Sequence, residues 1–210
     1  SKTQGRNGPW KTGVTAVDIN GDQRMDLYVC YSGMLSEKKR RNQLFLNMGN
    51  DANGIPQFTE VAKLYGLDSS AYSNQGYFFD YDQDGDLDML LLNHNPKSLP
   101  VLGVPKTKVL LKEDEPMTGL RLYEQKNKRF FDITSNTQIN GSSLSYGLGL
   151  ALSDFNNDGW IDFYLSNDYT IPDYLYINNQ SGDFENSIQK SMSYTSHFSM
   201  GNDCGDINND

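Results

Sequence analysis

A nine-residue pattern recurs three times along this chain and then begins a fourth time. The complete copies are DINGDQRMD from Asp18, DYDQDGDLD from Asp80 and DFNNDGWID from Asp154. Each places an acidic or amide side chain at positions 1, 3 and 5 and an aspartate at position 9. The last copy supplies Asp206, Asn208 and Asp210, and the sequence stops there. Recurrence of this kind restricts the fold to architectures built from similar units that cover one another's apolar faces.

The context of the pattern recurs with it. A short strand-forming stretch precedes each copy: GVTAV, GYFF, GLALS and GNDCG. A glycine stands five residues before the first aspartate at Gly13, Gly149 and Gly201, and four before it at Gly76. The apolar runs LYVCYS, MLLLNH and FYLSND follow the complete copies. A third strand is expected at QLFLNMG, RLYEQKN and YLYINNQ, and a fourth at QFTEVAKL, RFFDITSN and DFENSIQK. FTEVAKLYGL has some helical character, but its register with the other units makes it a fourth strand running into a turn. Each unit thus reads strand, Asp loop, strand, connection, strand, turn, strand. The fold class expected is all-β, with four-stranded antiparallel blades of a β-propeller.

The predicted blades span about residues 11–68, 74–140 and 145–195, and 197–210 opens a fourth. A complete propeller has roughly four to eight blades. The whole chain, 1–210, therefore reads as a single partial propeller and a piece of a longer protein. Blade faces left open in such an arc would favour self-association. Residues 95–119, with four prolines, insert between the second and third strands of the second unit and read as a loop.

The 1, 3, 5, 9 spacing has a chemical reason. Alternate residues of a tightly curled loop point to one centre, position 9 returns to it as the next strand begins, and a backbone carbonyl at position 7 completes the set. All these donors are hard oxygens, which suits Ca²⁺ with its six to eight flexible ligands better than Mg²⁺. Clustered carboxylates without a cation repel one another, so metal binding is expected to stabilise the fold. An EF-hand is excluded, because position 12 is Val29, Leu91 or Leu165 instead of glutamate and strands flank the loop. The second copy has aspartate at all four positions and Gly85 at position 6, so it should bind best. The first has Gln23 at position 6 and is the least certain of two to three sites.

Charge fits this concentration of carboxylates. The net charge is −9, but ten aspartates occupy positions 1, 3, 5 and 9 of the three complete copies, and without them the chain would be nearly neutral. The acidity is therefore no general surface property. No basic stripe offers a nucleic-acid surface; the one basic run, KKRR at Lys38–Arg41, reads as a solvated loop. No apolar run is long enough for a membrane-spanning helix, and the first ten residues lack the apolar stretch of a signal peptide. Cys30 and Cys204 lack metal or framework spacing and read as small buried strand residues. His94 and His197 are the only histidines and read as structural. Neither a GxSxG elbow nor a Walker loop is present. Tyr169 and Tyr174 are candidates for stacking on sugars or for strand-edge packing, and Asn140 and Asn179 lie in glycosylation sequons.

Strand, DxDxDGxxD loop, strand, then LFLN or LYIN resembles the FG-GAP/VCBS repeat, the kind of blade used by integrin α-subunit propellers. SYGLGLALSDFNNDGWIDFYLSNDY and HFSMGNDCGDINND resemble most the ASPIC/UnbV-associated, cartilage-acidic-protein-like group. The resemblance implies calcium at Asp18, Asn20, Asp22 and Asp26; at Asp80, Asp82, Asp84 and Asp88; and at Asp154, Asn156, Asp158 and Asp162. It implies carbonyl ligands at Arg24, Asp86 and Trp160. It also implies an extracellular, periplasmic or cell-surface setting. The function expected is a non-enzymatic calcium-binding scaffold for a protein or glycan partner in binding or adhesion. The alternative is a non-catalytic part of a larger exported polysaccharide-processing enzyme.

Overall fold

The computed structural model describes residue 8 and residues 10–97, 102–169 and 171–208. Twelve strands form three four-stranded antiparallel sheets. The first contains β1 (Trp10–Val17), β2 (Asp26–Ser32), β3 (Gln43–Asn50) and β4 (Pro56–Glu60). The second contains β5 (Ser73–Phe79), β6 (Asp88–Asn93), β7 (Arg121–Lys126) and β8 (Arg129–Asp132). The third contains β9 (Gly147–Ser153), β10 (Asp162–Asn167), β11 (Tyr174–Asn178) and β12 (Phe184–Asn186). Each sheet is a meander in chain order, an arrangement consistent with propeller blades.

Strand periodicity explains the stacking. Side chains alternate between faces, and β6 buries both of its faces. Met89 and Leu91 pack with Tyr28, Cys30 and Leu44 of the first sheet. Leu90 and Leu92 pack with Phe163 and Leu165 of the third. The unbroken apolar run MLLL is thus the signature of a middle sheet covered on both sides.

The glycines before the Asp loops answer to close approach between first strands. A Cβ on Gly13 would collide with the Asn74 carbonyl of β5, and one on Gly149 would lie 2.8 Å from the Cα of Gly201. Residues 199–206 therefore run beside β9 much as β5 runs beside β1, and Asn202 Nδ2 donates to Gly149 O and Ser166 Oγ. The strand expected at GNDCG does not form. The inner strands β1, β5 and β9 each pair with the second strand of their own sheet, and no such partner for 201–205 lies among the described residues. Cys204 is accordingly exposed, against expectation, with its Sγ on Leu152 O; Cys30 is buried.

Four further expectations change. The proline-rich insertion carries a helix, α3 (Val104–Leu110), besides the single-turn helices α1 (Glu37–Arg40), α2 (Ala62–Tyr65) and α4 (Ile188–Ser191). Leu102, Leu110 and Leu111 pack against the core, and Asp114 forms two bonds to the buried Arg121 guanidinium. The KKRR run forms most of α1, with Arg40 buried and its guanidinium 4.2 Å from the centre of the Tyr72 ring. Tyr174 is buried in the core, whereas Tyr169 is exposed. FTEVAKLYGL divides into β4 and α2, which closes on Gly66 at φ 75°. Among the described residues no helix is long and apolar enough to cross a membrane.

Candidate metal centre

The Asp loops join the first and second strands of each sheet: loop 1 (18–26), loop 2 (80–88) and loop 3 (154–162). All three follow one backbone path. Positions 4 and 6 are left-handed in each: Gly21 and Gln23, Gln83 and Gly85, Asn157 and Gly159, with φ between 58° and 93°. Such φ values are strained for residues other than glycine. Glycine relieves position 4 in loop 1 and position 6 in the other two. The doubtful Gln23 therefore adopts the same turn at φ 66°.

The position-9 aspartates are buried, at 0% exposure for Asp26, 1% for Asp88 and 0% for Asp162. One oxygen of each accepts the N–H of position 2: Ile19 at 3.2 Å, Tyr81 at 3.2 Å and Phe155 at 2.9 Å. The other accepts an N–H of the third strand: Asn47 at 2.7 Å, Gln125 at 2.8 Å and Asn178 at 2.8 Å. This aspartate is thus a staple between loop and sheet, with lone pairs left for a cation. Burial pushes its pKa up in all three loops, to about 8 for Asp88, against the pull of these backbone bonds.

Loops 1 and 3 satisfy their remaining acceptors internally. Asp18 accepts the N–H groups of Asp22 and Gln23, and Asp154 those of Asp158 and Gly159. The position-3 amides donate across the loop, Asn20 to Asp22 at 3.1 Å and Asn156 to Asp158 at 2.8 Å. Asp22 also pairs with the Arg24 guanidinium at 2.6 Å, and Asp158 accepts from Gln180 at 3.1 Å. The Asp158 carboxyl lies below its ordinary range because Trp160 N–H, Asn156 and Gln180 donate to it. For Asp22, slight burial is outweighed by the Arg24 N–H, the Asn20 amide and the Arg24 charge.

Loop 2 differs. Asp82 at position 3 has no donor to offer, and one oxygen each of Asp80, Asp82 and Asp88 lie within 4.8 Å of one another. Asp80 Oδ1 and Asp86 Oδ1 are buried without a partner. Burial first, then neighbouring carboxylates, raise the pKa of Asp82 and of Asp86. Loops 1 and 3 contain no such orphaned side-chain atom among the described residues. Loop 2 opens on a groove of about 480 Å³ lined by Asp82, Glu124, Trp160 and Gln180 among others. Loops 2 and 3 touch where Gln83 Nε2 donates to Gly159 O at 2.8 Å.

The expected ligand sets are brought together unevenly. In loop 2 three of the four side chains converge; Asp84 stands outside that group and accepts the Asp86 N–H at 3.0 Å. Arg24, Asp86 and Trp160 each place their N–H on the position-5 carboxylate, which shapes the turn. In the fourth copy Asn208 N–H bonds Asp206, and Asp210 lies outside the described residues. The third-strand residues Asn47, Gln125 and Asn178 were not among the candidates, though they occupy the N and Q positions of LFLN, LYEQ and LYIN.

Of the other candidates, His94 packs edge-on against Tyr146 and burial lowers its pKa, while His197 packs on Phe198. Asn179 is exposed in the turn before β12, whereas Asn140 donates its amide to Leu111 O.

Residues 154–210 match the family model of FG-GAP-like repeats. The matched stretch runs from loop 3 through β10, β11 and β12 to the start of the fourth Asp pattern. The repeat frame therefore begins on an Asp loop and ends on the next. No curated protein matches the chain.

Proposed function

We propose that this chain is a calcium-stabilised arc of β-propeller repeats, three blades and the beginning of a fourth, acting as a non-enzymatic scaffold that displays connecting loops to a protein or glycan partner outside the cell. The observation that carries this reading is loop 2: three hard carboxylate oxygens converge there beside buried acceptors that have no donor. An all-oxygen set of this kind suits Ca²⁺. Asp80, Asp82 and Asp88 would hold the ion, and its charge would offset the repulsion that raises their neighbours' pKa values. The FG-GAP-like match and the resemblance to the ASPIC/UnbV-associated group support the same assignment. An extracellular setting, where calcium is plentiful, fits an ion that stabilises the fold.

Thermal melting in chelator, in millimolar Ca²⁺ and in millimolar Mg²⁺ tests the reading. Calcium at 100 times its Kd should add about 2.7 kcal/mol per occupied site, or about 5–10 °C for a chain of this size. No calcium-dependent rise, or an equal rise with Mg²⁺, would overturn it.

A further inference from the structure

The end of the sheets opposite the Asp loops carries the connections from second to third strands. There α1 and the insertion that bears α3 line a groove of about 540 Å³. Arg40 of α1 lies in its wall at only 5% exposure. Its Nε donates to Ser70 O at 3.1 Å, its Nη1 donates to Leu35 O, and the guanidinium lies over the Tyr72 ring. None of these partners carries a negative charge, and Arg40 has no ion pair among the described residues. Buried charged groups are ordinarily paired. Lys97 and Lys106 line the same groove, also without an ion pair among the described residues. Asn95, 6% exposed, sets Lys97 at the rim, since it donates to Ser143 O at 2.8 Å and accepts the Lys97 N–H at 3.0 Å. Lys106 stands one helical turn before Leu110, and Leu110 packs against the core, so this face of α3 turns toward the groove. Thr118, 7% exposed, is in the wall too, and its Oγ1 has no partner among the described residues.

Arg40, Lys97 and Lys106 face two carboxylates of the same lining, Glu37 and Glu115. The cations suit one negative group. The carboxylates accept hydroxyls and repel a second negative charge. We propose that this groove binds a sugar acid, a hexuronate unit of a glycan, with its carboxylate on Arg40, Lys97 and Lys106 and its hydroxyls toward Glu37 and Glu115. Guanidinium is weakly hydrated and suits a carboxylate taken out of water, and the volume is within the range of small-molecule sites. The inference rests on the glycan-scaffold reading above and names the site and the kind of sugar. It does not depend on a cation in loop 2, which lies at the other end of the sheets.

Saturation-transfer NMR titration of the whole chain in chelator tests this. The probes are glucuronate and galacturonate, with glucose and galactose as neutral controls and a glutamate-containing peptide as the protein-like control. At least one uronate should bind about tenfold or more tighter than its neutral counterpart and than the peptide. Exchanging both exposed lysines, Lys97→Gln with Lys106→Gln, should weaken uronate binding about threefold to tenfold, and so should raising the salt to about 0.5 M. Arg40→Lys keeps the charge and loses the planar guanidinium; it should weaken binding about tenfold. Should Arg40→Lys fail to fold, the double lysine variant decides alone. Neutral sugars binding as well as uronates, the peptide binding tighter than both, no binding of either uronate, or a double variant that binds like wild type would each overturn the proposal. Uronate binding in chelator by a protein that shows no calcium-dependent melting would keep this inference and overturn the calcium reading; a calcium response without uronate binding would do the reverse.

Discussion

Loop 1 and loop 2 trace the same turn with different electrostatics. Both carry left-handed residues at positions 4 and 6, and both seat a buried position-9 aspartate on two backbone N–H groups. In loop 1 the Asn20 amide and the Arg24 guanidinium answer the Asp22 carboxylate. In loop 2 no side chain plays either part: Asp82 replaces the amide, Asp86 replaces the arginine, and Asp80 Oδ1 and Asp86 Oδ1 are buried without a partner. Backbone N–H groups closing on carboxylates therefore set the shape of the loop. The donors among its side chains set how much the loop needs a cation.

The largest expected effect separates shape from cation demand. Asp162→Ala removes acceptors from Phe155 N–H and Asn178 N–H in a buried place, which should cost about 2–6 kcal/mol at about 1–3 kcal/mol per orphaned group. Urea denaturation should show this loss equally in chelator and in calcium. Asp82→Ala should reduce stability in calcium and leave the chelated protein unchanged or steadier. A similar loss for Asp82→Ala in chelator would break the distinction.

A middle-sized effect comes from exchanging the position-3 residues. Asp82→Asn gives loop 2 the cross-loop donor of its neighbours; it should raise stability in chelator by about 1 kcal/mol and shrink the calcium response. Asn156→Asp should do the reverse in loop 3. Acidity sharpens the same contrast. Asp88 and Asp82 have folded-state pKa values raised by burial, to about 8 for Asp88. Their contribution in chelator is present below the unfolded pKa of about 4 and is lost as pH rises toward 8, because the unfolded chain then binds fewer protons than the folded one. Melting temperature in chelator should therefore fall relative to that in calcium between about pH 4 and 8, and Asp82→Asn should flatten the fall.

The smallest effect concerns backbone strain. Gln23→Gly relieves the left-handed position 6 of loop 1 and should stabilise by about 0.5–1 kcal/mol, since the strain removed exceeds the added entropy of the unfolded chain. Gly85→Ala should cost a similar amount in loop 2. Shifts in urea midpoint at constant slope would measure both.

The strands were legible because apolar runs of period two flank an invariant spacing; β6 and β10 begin on the position-9 aspartates of loops 2 and 3. The convergence of Asp80, Asp82 and Asp88 was legible for the same reason, since alternate residues of a curled loop face one centre. The helix α3 was not, because a seven-residue helix among prolines gives too short a pattern to read. The part of Gln125 was not, because its N–H reaches Asp88 only through the pairing of β6 with β7. The burial of Arg40 against Tyr72 was hidden behind a charge run that reads as solvated.

The sequence by itself determined the repeat, the strand order within each unit and the placing of oxygen donors, because these depend on spacings of nine residues or fewer and on period-two burial. Only the tertiary structure decided which loop lacks donors. In loop 3 that outcome depends on Gln180 arriving from the β11–β12 turn, a contact fixed by how strands pair across a sheet, and in loop 1 on Arg24 folding back onto Asp22.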